Sequence, residues 1–209
     1  MKAILKNTQL VFMKKHVKEI VYKNYWVRAS GQGVNLGSLD GKLESIRLDN
    51  IKGIVNAYYN DLSATLEKIF SVRGNSTIGI PVGKTLDYSP GMDLHATFSA
   101  FTESKAFEVS FNSSTKEATM DGTTIIASGT GSVSTSMCNF AGIYMADSQT
   151  TVSAYTNKTK FARLRLYKAD DDTLLCDVRP ALVDGVPCLY DSVSDSEFYS
   201  VDETALVLE

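Results

Sequence analysis

The stretch from Phe161 to Tyr199 constrains this chain more than any other. Ala162, Leu164 and Leu166 alternate with Phe161, Arg163, Arg165 and Tyr167. Beyond Asp170-Asp171-Asp172, the residues Leu174, Cys176 and Val178 alternate with Thr173, Leu175, Asp177 and Arg179. A period of two sends successive side chains to opposite faces of an extended chain, so the spacing predicts two half-buried antiparallel strands. Asp184-Gly185 supplies the two positive-φ residues of a tight hairpin turn, which folds Val186 to Asp191 back on Arg179 to Val183. Proline cannot donate to a ladder, so Pro180 and Pro187 belong at sheet edges or strand starts. The result is a meander with no helix in it.

Upstream, Val17 to Val27 is β-branched and aromatic and reads as a strand leading into a bend at Gly31, Gly33 and Gly37. Asp40-Gly41 is a second hairpin signal. Ile51 to Phe70 supports two readings. Ile51, Ile54, Val55, Tyr58, Leu62, Leu66, Ile69 and Phe70 share one face at helical spacing, with Asp49 or Asn50 as a cap. Gly53 and the Asn60-Asp61 pair fit two strands joined by a turn equally well. Further on, Phe107 to Phe111, Ala118 to Met120, Asp121-Gly122 and Thr123 to Ala127 supply more strands and another hairpin.

A chain of 209 residues, 44% apolar and 22% charged, is ample for one sizeable core. It contains no apolar run of about 18 residues that would cross a membrane as a helix. The three cysteines, Cys138, Cys176 and Cys188, are odd in number and lack metal spacing, so they read as small buried hydrophobes. Ile4-Leu5 and Leu10 to Met13 are too short for a secretory signal and are followed by Lys14-Lys15. Met1 to Arg28 holds seven Lys or Arg against Glu19 alone, whereas Arg165 to Glu209 holds eleven acids against three bases. The basic arm implies either an acidic protein surface as partner or a solvated face. With a net charge of −3 and no dense arginine patch, nucleic acid is not implied.

Several of these segments also carry a family resemblance. Arg165-Leu166-Tyr167-Lys168, Thr173-Leu174-Leu175, Arg179-Pro180-Ala181-Leu182, Asp184-Gly185-Val186, Leu189 to Val193 and Phe198-Tyr199 form a string of motifs. The string resembles the C-terminal part of laminin-G-like, concanavalin A-like jelly-roll domains in virion proteins of gut bacteriophages, especially crAss-like phages infecting Bacteroides and its relatives. Gly74 to Pro81, Leu86 to Asp93 and Ala96 to Phe101 resemble the opening strands of the same domains. The likeness covers about Ile69 to Tyr199. It implies an all-β, concanavalin A-like jelly-roll sandwich at 69–209, preceded by an anchoring and oligomerisation region at 1–68 that includes the basic arm and at most one helix. It also implies a place on the phage particle, as a head or tail fibre or decoration. Such a protein docks on other virion proteins through its arm, forms a homotrimer and meets a host-surface polysaccharide, without nucleic acid or membrane. The family's calcium pattern has no residue-by-residue match here, so no metal site or cofactor is assigned. A jelly roll serves many functions, and a free carbohydrate-binding module and a glycoside hydrolase of the same fold are the alternatives.

No catalytic constellation stands out. Gly79 to Thr85 is one residue short of a phosphate loop and is followed by Leu86 to Pro90, which cannot be the required helix. Glycosidases of this fold need two carboxylates aimed at one bond, and no such run occurs. His16 and His95 stand alone. Sugar binding is left, which uses aromatic rings against C–H faces and Asp or Asn against hydroxyls. Loop aromatics beside such groups are the candidates: Asp87 with Tyr88, and Asn139 with Tyr144, Asp147 and Tyr155.

Overall fold

The structure is a computed structural model that describes residues 17–29, 31–60, 67–72, 76–80, 85–145, 152 and 159–209. In chain order the first strands are β1 (Ile20–Tyr22), β2 (Trp26–Val27), β3 (Val34–Gly37), β4 (Ile51–Tyr59), β5 (Glu67–Val72) and β6 (Ser76–Ile80). They are followed by β7 (Asp87–Gly91), β8 (Leu94–Thr97), β9 (Lys105–Asn112), β10 (Glu117–Met120), β11 (Thr123–Ile126) and β12 (Ser128–Gly129). The last are β13 (Ala141–Ile143), β14 (Thr159–Lys168), β15 (Leu174–Val183), β16 (Val186–Asp191), β17 (Ser196–Phe198) and β18 (Val207–Leu208). Among the described residues, helix is confined to two short 3-10 turns at Lys42–Ser45 and Leu48–Asn50.

All pairings are antiparallel. The large sheet runs β11-β10-β9-β4-β14-β15-β16-β17, and the small sheet runs β12-β8-β7-β6-β5-β13-β3. Their inner faces close one core as an all-β sandwich. From the large sheet come Val55, Val109, Phe111, Leu164, Leu166 and Val178. The small sheet sends Phe70, Tyr88, Ala96 and Ile143 to meet them. Phe111 joins the layers, its ring centroid 5.8 Å from Phe70 and 5.3 Å from Tyr88. It fits because Gly53 lies beneath it: a Cβ there would fall 2.7 Å from the Phe111 ring and 2.8 Å from Leu166. The three cysteines are free and buried, and burial pushes the Cys188 thiol up to about 11.

Ile51 to Tyr59 is a strand. Its buried set is Ile51, Gly53, Val55, Ala57 and Tyr59, a strict alternation that small Gly53 and Ala57 conceal when only large residues are counted. Asp184-Gly185 forms the two-residue hairpin turn, with φ of 51° and 83° and Val183 opposite Val186. Asp40-Gly41 does not join two strands; it leads into the first 3-10 turn.

In the meander, two bulges change which residues face the core. A bulge between Phe161 and Arg163 turns Phe161 inward beside Leu164, so that Lys160 and Arg163 both face outward. A second one, between Leu166 and Tyr167, leaves Leu174 exposed and buries Leu175.

The boundary expected between residues 68 and 69 falls inside β5, and β4, upstream of it, pairs with β9 on one side and β14 on the other. The expected arm enters the sheet as well. β14 and β15 pair from Leu164 to Tyr167 and then separate. β2 takes the open side of β14, and β1 takes the open side of β15. Pro180 lies inside β15, at the point where that strand leaves β14 and takes up β1. β18 completes the insert by pairing with β2. Trp26 and Arg28 are fully buried there, and Gln32 ties the insert together. Its side-chain carbonyl accepts from Trp26 Nε1 at 3.3 Å, and its amide donates to Thr204 Oγ1 at 2.6 Å.

Candidate functional site

Strand parity gives the large sheet an outer face of distinct composition. β4 sends out Lys52, Ile54, Asn56 and Tyr58; β9 adds Ala106, Glu108, Ser110 and Asn112; β14, past its bulge, adds Arg163, Arg165 and Tyr167. Because Ala106, Ser110 and Ala162 are small, the seam between β4 and β9 is sunk below its neighbours. Two depressions lie end to end along it. One, of about 240 Å3, is lined by Lys52, Ile54, Asn112, Glu117 and Tyr167. The other, of about 370 Å3, is lined by Tyr25, Asn56, Ala106, Glu108 and Ala162. From Lys52 to Tyr58 this trough follows roughly 20 Å of strand.

Each end of the trough carries an aromatic side chain. Tyr25 meets Tyr58 edge to face with centroids 5.9 Å apart, and the Lys160 ammonium stands 5.9 and 5.8 Å from the two rings. Tyr167 stands at the opposite end, and all three rings are half-buried. Between them Asn56 donates to Glu108 at 2.8 Å, and opposite Tyr167, Lys52 is ion-paired with Asp172. Beside the trough, Arg163 grips Asp177 with two bonds of 2.7 and 2.5 Å, and Arg179 lies 3.5 Å from the same carboxylate. Burial raises the Asp177 pKa, but the paired hydrogen bonds and charge of Arg163, with those of Arg179, outweigh it and hold the carboxyl below its usual range.

The arrangement offers flat apolar rings, amides and carboxylates on a rigid sheet, the elements that hold sugar rings and hydroxyls. Glu108, Asp121 and Glu117 are the carboxylates of the trough, and Asp121 is ion-paired with Lys105 at 2.6 Å. Glu117 faces Asn112, four residues along β9 from Glu108. Their backbones are therefore about 14 Å apart along the strand. Among the described residues no three His, Cys, Asp or Glu side chains converge where a metal ion could sit.

The residues singled out from the sequence lie elsewhere. Tyr88 belongs to β7 and is fully buried against Phe111, so its ring cannot stack on a sugar from solvent. Burial alone drives its phenol pKa far up. Asp87 precedes it on the outward side, accepting from Thr97 Oγ1 at 2.8 Å and paired with His95 Nδ1 at 2.8 Å. Tyr144 is fully buried too. Its φ of 54° turns the ring inward directly after inward Ile143. There it packs edge to face on Trp26 at 5.0 Å, receives the Arg28 guanidinium at 4.6 Å, and donates to the Thr159 carbonyl at 3.1 Å. Asn139 is half-buried, its Oδ1 without a hydrogen-bond partner among the described residues. Asp147 and Tyr155 lie outside the described residues. The trough residues come from separate strands and share no local motif. The signal available was the outward half of the β4 and β9 alternations.

No model of a known protein family matches this chain, and no curated protein matches it. Fold and site together define an antiparallel β-sandwich with an open, aromatic-flanked trough on its larger sheet.

Proposed function

We propose that this chain is a bacteriophage virion structural protein, a fibre or decoration on the particle surface, whose sandwich binds a host-surface polysaccharide along the outer face of its large sheet. The observation that carries the binding part is the trough, lined by Tyr25, Asn56 and Glu108 toward one end, where Tyr58 packs on Tyr25, and by Lys52, Asn112 and Tyr167 at the other. An elongated, rigid, half-apolar groove suits an extended chain of sugar rings better than a compact metabolite. The virion part is supported by the motifs from Arg165 to Tyr199 and their resemblance to phage jelly rolls. In this reading the sixteen residues before Val17 attach the sandwich to other virion proteins.

A shallow sugar site has little surplus free energy after desolvation, so a single module binds weakly and particle display supplies avidity. The test is a glycan array of host capsular and surface polysaccharides, probed with the multivalently displayed protein and with Tyr58→Ala and Tyr167→Ala. A signal on an extended polysaccharide that falls about ten-fold or more in both variants, with unchanged circular dichroism, is the expected outcome. Absence of binding, or binding indifferent to both substitutions, overturns the carbohydrate reading. Mass spectrometry of purified particles tests the location separately.

A further inference from the structure

Among the described residues the two sheet paths end on four edge strands, with the short β1 and β18 as further edges off the large path, and three of the four are short, charged or covered. β17 has three residues, with Glu197 paired to Lys18 at 3.0 Å and Ser196 bonded to Asp40. β3 is covered by the Val34–Ser200 bridge and by the Val201 N–H on the Gly33 carbonyl at 2.9 Å. β12 is only Ser128–Gly129. β11 differs from all of them. Thr123-Thr124-Ile125-Ile126 has no charge, no proline and no bulge, and Ile126 is 62% exposed. Edge strands in single-copy proteins are usually blunted by just such devices.

The hydrogen-bonding phase of this edge follows from its turn. Asp121 and Gly122, at φ 50° and 78°, form a two-residue hairpin turn with Met120 opposite Thr123. Residues flanking such a turn exchange both backbone bonds, and bonding then recurs at every second position. Thr123, Ile125 and Ala127 therefore direct their N–H and C=O groups to β10. The Ala127 N–H on the Lys116 carbonyl at 2.8 Å continues that series. Thr124 and Ile126 direct theirs the other way, off the edge of the sheet, where no strand pairs with them among the described residues; two residues on, Ser128 pairs with His95 of β8.

We infer that β11 pairs antiparallel with β11 of a second copy of this chain, about a two-fold axis at Ile125. Two-fold pairing needs outward backbone groups spaced symmetrically about one residue, and Thr124 and Ile126 flank Ile125 in that way. Each Thr124 then faces Ile126 of the other copy, four backbone hydrogen bonds form, and the two large sheets become one. Charge does not oppose it: from Gly122 to Ala146 the sequence has no Asp, Glu, Lys, Arg or His. The exposed Ile126 side chain comes to lie beside Thr124 of the second copy. Both outer faces end on the same side of the joined sheet. This inference stands whether or not the trough binds sugar, and it does not involve the residues before Val17.

Sedimentation velocity over a concentration series, on the full chain and on Thr124→Pro and Ile126→Pro, tests it. Proline at these positions removes only outward N–H groups, which edge strands tolerate, so circular dichroism stays unchanged. Each variant deletes two of the four bonds across the axis, and dimerisation is expected to weaken roughly thirty-fold. Register is tested by mixing Thr124→Cys chains with Ile126→Cys chains under mild oxidation. Facing residues in such a pair have Cα atoms about 5.5 Å apart, within disulfide range. The mixture therefore cross-links and neither variant does so alone, the native cysteines being buried. A monomer at every concentration, association as strong in the proline variants as in the unaltered chain, or cross-linking in the single-variant samples overturns the pairing.

Discussion

Tyr88 and Tyr144 lie in the interior of the sandwich, while Tyr25, Tyr58 and Tyr167 stand on its outer face, and both sets sit among polar neighbours in sequence. What separates them is strand parity. Tyr88 takes the inward phase of β7 and Tyr58 the outward phase of β4, while a single left-handed residue reverses the phase at Tyr144. Nearness to Asp or Asn along the chain says little about whether a ring meets solvent. Position relative to the pleat decides it.

Substitutions sharpen the contrast. Tyr144→Ala removes a filled volume between Trp26 and Arg28 together with a buried hydrogen bond to Thr159. It is expected to destabilise the fold by about 4 kcal/mol, read as a lowered denaturant midpoint. A loss no larger than that of an exposed tyrosine would erase the distinction between the two sets. Next in size is Asp177→Asn on the outer face, which leaves Arg163 and Arg179 without their shared carboxylate. About 1–2 kcal/mol is expected near neutral pH for this partly exposed cluster.

The pH dependence has a definite sign. The folded-state pKa of Asp177 is lowered, so its stabilisation is present above the unfolded value and is lost as pH falls through the folded one. Urea titrations of the two proteins should therefore converge from about pH 5 downward. A gap that widens in acid would contradict the ion-pair account. The smallest effect is expected from Tyr88→Phe. The Tyr88 hydroxyl is buried without a hydrogen-bond partner among the described residues, so its removal should leave stability equal or raise it by up to about 1 kcal/mol. A clear loss in thermal melting would mean that the hydroxyl does have a partner.

Much of the architecture is legible where the signals are local. Asp184-Gly185 and Asp121-Gly122 specify hairpins because two adjacent residues with positive φ leave the chain few alternatives. Elsewhere the pattern misleads for identifiable reasons. The period-two reading of Phe161 to Tyr167 misplaces Phe161 because a bulge adds one residue that the alternation cannot show. The helical stripe through Ile51, Ile54, Val55 and Tyr58 arises because the inward positions Gly53 and Ala57 are too small to register as core. The trough was hidden for a different reason. Asn56, Glu108 and Tyr167 are brought together only by the β9-β4-β14 register.

The insertion of β1, β2 and β18 between β14 and β15 also constrains how the molecule is made. Trp26 is covered only when Phe161 and Leu208 are in place beside it, and these pairings join residues far apart in the sequence. During synthesis, β2 must wait, unpaired and apolar, until β14 and β18 have emerged. Completion of this part of the sheet is therefore a late event. With so many long-range pairings it falls in the slow range of folding rates, and the intermediate exposes the sides of β14 and β15 that β1 and β2 later cover.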